Sequence, residues 1–374
     1  MLRGANRCVV GWAVLSLLVS GAGCATLDGE GSGGLGGGKA DGWDEDGNGS
    51  IPEEWPQHVI FMVPDGMGVA DMTAARVYRG GSDGEPMSWE TLEEIGYQRT
   101  HARNAAVTDS AAAASAWASG EKFNRGEISC HDDDADGTCD EEPVETILEL
   151  ASQAGLSTGL VVTATVTHAT PAAWGSHVHN RKCESTIFEH YLDNEIDVLL
   201  GGGIGTNRST CDLPSTQLED VEALIDRAQT EHGYMYVTSR DELEGANGAS
   251  RLLGLFSEEG LTEALGPAYL RGESSPEPSL AEMTDAALRA LDQNPDGFFL
   301  LVEGSQIDWA NHANSVVYQL HETLGFDAAV RVVREWIAAD PVREASTLLI
   351  VVPDHDSGGF ALNGPNDRIA QPGD

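Results

Sequence analysis

Basic residues are scarce in this chain, with 21 Lys and Arg against 61 Asp and Glu and a formal net charge of -40. Such a field repels phosphate backbones, which excludes a DNA or RNA binder. It suits a solvated acidic surface in a salty or extracellular medium, with a calcium-rich surface as the sharper alternative. Membrane-spanning runs are missing too: the apolar stretch Val9 to Val19 is too short to cross a bilayer. None of the six cysteines forms a Cys-x-x-Cys pair, which argues against a cysteine-built zinc site. Internal repeats are absent, and low-complexity sequence ends with the Gly-rich tract Gly29 to Gly38.

What is present begins with an address. Arg3 and Arg7 supply a positive start, Val9 to Val19 an apolar stretch, and Gly21-Ala22-Gly23-Cys24 a small-residue cleavage region, so residues 1–25 read as a signal peptide. Cys24 is open to two readings, the lipid-carrying cysteine of a bacterial lipoprotein or plain secretion to the periplasm or medium. Residues 26–56 then read as a Gly-rich acidic linker, which a lipidated Cys24 would turn into a membrane tether. Residues 57–374 are left for one catalytic domain. Export makes the remaining cysteines legible: Cys130, Cys139, Cys183 and Cys211 allow three pairings, and sequence proximity favours Cys130 with Cys139 and Cys183 with Cys211.

Three short apolar runs each end in a metal-seeking residue. His58 to Val63 leads to Asp65, Phe298 to Val302 to Glu303, and Thr347 to Val352 to Asp354 and His355. Runs of this length read as buried parallel strands, and ligands in open α/β sheets gather beyond the carboxyl ends of such strands. Asp308 and His312 are four apart and share a helical face on which one ion can be held. A small-residue helix is expected to open at Asp109-Ser110-Ala111, further strands at Gly159 to Thr163 and Ile196 to Leu200, and helices over Val144 to Ala154 and Val316 to Ala339. This βαβ rhythm predicts a doubly wound, mainly parallel sheet flanked by helices. Gly233 to Pro278 reads as a less regular stretch that covers or borders the site.

These residue types fit phosphate monoester chemistry, which needs a nucleophile, neutralisation of the equatorial oxygens and help for the leaving oxygen. Ser110 is the candidate nucleophile, Arg181 a planar fork for two phosphate oxygens, and two metals can hold the attacking and departing oxygens. Alone, Ser110 would read as a helix cap. Two acidic loops, Asp44, Asp46, Asn48 and Asp132, Asp134, Asp136, follow the first half of a calcium loop, but Trp55 and Pro143 stand where its twelfth-position Glu belongs. Calcium sites and ordinary acidic loops both remain open for them.

In these residues, in order, the chain resembles the alkaline phosphatases. The motifs are Pro64-Asp65-Gly66-Met67-Gly68, Thr108-Asp109-Ser110-Ala111, His168-Ala169-Thr170-Pro171-Ala172, Asn180-Arg181-Lys182-Cys183, Glu303-Gly304-Ser305-Gln306-Ile307-Asp308 with His312, and Asp354-His355. The resemblance implies hydrolysis of monoesters through a phosphoserine. It implies a serine-activating zinc site of Asp65, Asp354 and His355, a leaving-oxygen zinc site containing Asp308 and His312, and a third, usually magnesium site of Asp65, Thr170 and Glu303. It also implies the Cys183–Cys211 disulfide and a homodimer. His168 and Trp309 depart from the best-known bacterial member, which has Asp and Lys there, and imidazole at the third site would favour zinc over magnesium. The family's further His, which completes the leaving-oxygen site, has no counterpart after His355, so the domain is expected to be C-terminally incomplete. Sulfatases of similar metal logic need Cys-x-Pro-x-Arg, which is absent. The remaining alternatives are a phosphodiesterase of the same superfamily and a non-catalytic metal- or phosphate-binding surface lipoprotein.

Overall fold

The computed structural model describes residues 56–134, 136–140, 143–203, 221–264 and 275–362. Its centre is a sheet of seven parallel strands: β1 (His58–Val63), β2 (Ser157–Thr165), β3 (Val198–Gly202), β4 (Met235–Val237), β5 (Leu252–Leu255), β6 (Phe298–Glu303) and β7 (Thr347–Val351). The order is β4-β5-β3-β2-β6-β1-β7. Parallel strands need crossovers, and the helices that supply them cover both faces. These are α1 (Val69–Gly80), α2 (Ser110–Ser119), α3 (Ile147–Gln153), α4 (Ala169–Gly175), α5 (Glu184–Asp193), α6 (Val221–Thr230), α7 (Arg240–Gly245), α8 (Leu280–Leu291), α9 (Gln306–His312), α10 (Val316–Ala338) and α11 (Pro341–Ser346). The doubly wound α/β class expected from the apolar runs is what the chain adopts.

Alternate residues of the central strands feed two cores. Phe61, Val63, Leu160, Val162, Phe299 and Leu301 pack with α2 and α4 on one face, whereas Ile60, Met62, Val161, Leu300 and Val302 pack with α8 and α10 on the other. The alanines of α2 explain that helix's place: Ala111, Ala114 and Ala118 are fully buried against Ala169, Ala172 and Ala173, a close approach that larger side chains would prevent.

Boundaries moved where capping chemistry decided them. α3 starts at Ile147, because Thr146 and Glu149 form a reciprocal capping box, and so ends up shorter than its apolar pattern. β3 runs from Val198 to Gly202, two residues past the expected Leu200. The stretch Gly233 to Pro278 is corrected in part: it contributes β4, α7 and β5, and β5 pairs in parallel with β3 to extend the sheet. These strands span only three and four residues, too short to stand out as apolar runs. No described helix is long and apolar enough to cross a membrane. Residues 1–25, the linker and the Asp44, Asp46, Asn48 loop lie outside the described residues, as does the Cys183–Cys211 pairing. Cys130 and Cys139 are joined, as expected.

Candidate active site

Four adjacent strands, in the order β2-β6-β1-β7, end on one side of the sheet. Asp65 follows β1 by two residues, Glu303 is the last residue of β6, His168 follows β2 by three, and Asp354 and His355 follow β7. Register makes them converge: Val63 pairs with Glu303 and Met62 with Val351. Ligand atoms of Asp65, Asp354 and His355 lie within 4.8 Å of one another, and so do those of Asp65, His168 and Glu303. Asp65 is thus shared by both groups.

Each side chain is held by local structure. The Oδ1 of Asp354 accepts hydrogen bonds from the backbone N–H of Gly66 (3.0 Å) and of His355 (2.9 Å), which leaves Oδ2 at 3.1 Å from His355 Nε2. The same Nε2 stands 3.8 Å from Asp65 Oδ1 and 3.4 Å from Ser110 Oγ. Ser110 opens α2 and is 4% exposed, so its hydroxyl meets the cluster at a helix N-terminus, where unpaired N–H groups favour an anion. Asp308 and His312 share one face of α9, with His312 Nε2 3.5 Å from Asp308 Oδ1. The His312 side chain is 71% exposed, and among the described residues no third His, Cys, Asp or Glu groups with this pair.

Charge is concentrated without compensation. Burial above all, then the charges of Asp354, Asp308 and Glu303, drives the Asp65 carboxyl well above the usual range. Burial likewise lifts Glu303 to about 7. Both oxygens of Asp65, both of Glu303, the Thr170 hydroxyl and His168 Nδ1 are buried without a hydrogen-bond partner. Buried carboxylates in this condition call for cations, and a donor set of carboxylates, imidazole and hydroxyl fits divalent metals.

Arg181 faces the same region. One guanidinium nitrogen donates to Asp109 Oδ2 at 3.1 Å, and the other meets His168 Nε2 at 3.1 Å. Because guanidinium has no acceptor, His168 must accept there, which puts its proton on Nδ1. Burial first, and then the Arg181 charge, lowers the His168 pKa to about 3 and keeps the ring neutral. Ligation through Nδ1 would therefore require the Arg181 contact to open. Trp309 packs edge-on to His168 with centroids 6.0 Å apart.

Asp109 is a residue at this site that sequence reasoning left without a role. It is the N-cap of α2, accepting from Ala112 N at 3.2 Å and from Gly126 N at 3.3 Å through Oδ1, while Oδ2 holds Arg181. The available signal was an Asp directly before a predicted helix start, a strongly preferred cap. Asp132, Asp134 and Asp136 do come within 4.8 Å of one another, on an intermediate-to-exposed loop closed by Cys130–Cys139 and apart from the strand ends.

Comparison with known proteins gives the chain its relatives. The family model described as "Alkaline phosphatase" matches residues 56–372. Alkaline phosphatase 3 of Bacillus subtilis is 34% identical over 336 residues, covering 84% of this chain and 66% of the relative. Alkaline phosphatase 4 of the same organism is 36% identical over 329 residues, covering 84% and 65%. The crystal structure of a cold-active alkaline phosphatase from Shewanella sp. superimposes with a TM-score of 0.69 at 34% identity, covering 83% of this chain and 70% of that one. The chain thus spans about two thirds of the length of the Bacillus relatives it matches. With the family model matching most of its length, the chain belongs to the alkaline phosphatase family.

Proposed function

We propose that this protein hydrolyses phosphate monoesters to alcohol and inorganic phosphate through a phosphoserine at Ser110. The observation that carries this reading is the position of Ser110 Oγ, at a helix N-terminus and 3.4 Å from the imidazole that faces Asp65 and Asp354. Arg181, oriented by Asp109, grips two non-bridging phosphate oxygens. Ser110 Oγ attacks phosphorus from the α2 side, and the bond to the leaving alcohol breaks with its electron pair on the departing oxygen, which takes up a proton. Water then attacks the phosphoserine, and Ser110 recovers its proton as phosphate leaves. Asp65, Asp354 and His355 would hold one zinc ion, Asp308 and His312 a second, and Asp65, Thr170 and Glu303, with His168 beside them, magnesium or zinc. When bound, these ions supply Lewis acidity that lowers the pKa of a serine hydroxyl and of water and neutralises charge on both oxygens.

Replacing Ser110 with Ala should lower monoester turnover at least about 100-fold, since the covalent step is lost while Arg181 still binds phosphate. Acid quenching during turnover should trap phosphate on Ser110 in the wild type. Unchanged turnover with no trapped phosphoserine would reject the mechanism, and faster turnover of a diester than of a monoester would point to the phosphodiesterase reading. The Cys130–Cys139 disulfide supports export to an oxidising compartment. The mass of the mature N-terminal peptide distinguishes a lipidated Cys24 from plain secretion, and sedimentation tests the homodimer that the family resemblance implies.

A further inference from the structure

We propose that Asn311 is a positioning residue that sets the separation between the two metal half-sites, Asp65–Asp354–His355 on one side and Asp308–His312 on the other. The proposal rests on the metal reading given above. Its structural basis is the turn at Gly66, which lies between the two sets. Gly66 adopts φ +69°, and a Cβ there would come within 2.8 Å of the backbone and side chain of Asp308. Its N–H donates to Asp354 Oδ1 at 3.0 Å, and its carbonyl accepts from Ser357 N at 3.0 Å and from Asn311 Nδ2 at 3.3 Å.

Asn311 sits on α9, between Asp308 and His312, and is 5% exposed. Its side chain grips the turn that follows β1. Its backbone carbonyl is covered by Gly358, whose φ of +72° and missing Cβ allow an approach that a side chain would block at 2.6 Å. The same amide lies against Asp71, whose carboxylate accepts from Gly68 N at 2.8 Å and so fixes the far end of that turn. The side chain thereby ties the helix carrying one half-site to the turn after β1, and Gly66 in that turn bonds the β7 segment through Asp354 and Ser357. An amide suits the place because Gly66 offers a carbonyl, which needs a donor, amid the carboxylates of Asp65, Asp71, Asp308 and Asp354.

The test is zinc titration of the full chain, wild type against Asn311→Leu, which keeps the volume, and Asn311→Ala, with free zinc reported by a competing chromogenic chelator. Wild type should bind in a tight and a weaker step. The variants should weaken the second step about tenfold, in the range found for residues that orient metal ligands, and change the first less than about twofold. The zinc-induced rise in Tm should shrink in the variants while Tm in EDTA moves little, which separates positioning from general support of the fold. Equal titrations for wild type and both variants, or a loss of Tm in EDTA that accounts for all the weakening, would overturn the assignment. Failure of wild type to bind zinc at all would instead overturn the metal reading beneath it.

Discussion

Asp109 and Arg181 are joined at 3.1 Å, and the carboxylate that makes this ion pair also caps the helix that begins at Ser110. One residue thus sets the orientation of the Arg181 guanidinium and the start of the Ser110 helix. Asp109→Asn keeps a good cap but loses the charge, so its Tm should stay close to wild type, while inhibition by inorganic phosphate weakens about tenfold, the value of one charge-assisted contact. Asp109→Ala should add a loss of roughly 2–4 °C in Tm for about 1 kcal/mol of capping. Arg181→Ala should lower kcat/KM by roughly 10- to 1,000-fold with metal content unchanged. Metal loss on removing Arg181 would mean that this arginine holds the site together.

His168 offers nitrogen where a third cation would sit beside Asp65 and Glu303, within a group spanning 4.8 Å. Replacement by Asp substitutes hard oxygen and also frees Arg181 from its 3.1 Å contact with the ring. We expect His168→Asp to raise the ratio of magnesium to zinc affinity at that group at least about tenfold, read from metal content after dialysis against mixed ions. An unchanged ratio would remove His168 from the third site.

The two proposed zinc half-sites differ in what surrounds them. Asp65 and Asp354 are fully buried with His355 between them, whereas the His312 side chain is largely exposed and, among the described residues, groups only with Asp308. Stepwise titration should therefore fill the Asp65–Asp354–His355 set first, and His355→Ala should abolish the tight step while His312→Ala removes only the weaker one. Two equally tight zinc ions would show that a further residue completes the pair.

His177 and Glu149 form a part-buried ion pair of 2.8 Å that ties the 176–178 segment to α3. Burial alone would lower the His177 pKa, but the bond and charge of Glu149 and the Ser129 carbonyl raise it above 6.5. Burial opposes the Glu149 shift as well, yet His177 and the Thr146 cap bring its pKa below 4.5. The raised imidazole contributes stability that is complete below 6.5 and lost as pH rises through its folded pKa. The lowered carboxyl contributes stability that is present above 4.5 and lost as pH falls through its own folded pKa. The Tm difference between wild type and His177→Gln should thus be largest near pH 6 and smaller at pH 9.5. A difference that grew with pH would contradict the pairing.

Much of this protein was legible because short-range chemistry fixes it. The runs ending at Asp65, Glu303 and Asp354 announced themselves by apolar content and length, and four-residue spacing put Asp308 and His312 on one helical face. Adjacent cysteines gave Cys130–Cys139. The short strands β4 and β5 were missed because three or four residues carry too little pattern, and pairing of β5 with β3 and of β4 with β5 holds them in the sheet.

Other relationships belong to the tertiary structure alone, because they depend on which strands are neighbours. The order β2-β6-β1-β7 brings His168, Glu303, Asp65 and Asp354 together from positions far apart in the chain. Nothing in the sequence spacing states that Asp109 would reach Arg181, that His168 would lend its Nε2 to the same guanidinium, or that Asn311 would bond the carbonyl of Gly66. Sequence by itself determined which residues could do the chemistry, since residue type sets charge, donor atoms and local backbone preference. Packing of the two cores against the sheet decided which of them meet, because distance and burial, and with them the pKa values, exist only once the strands are ordered.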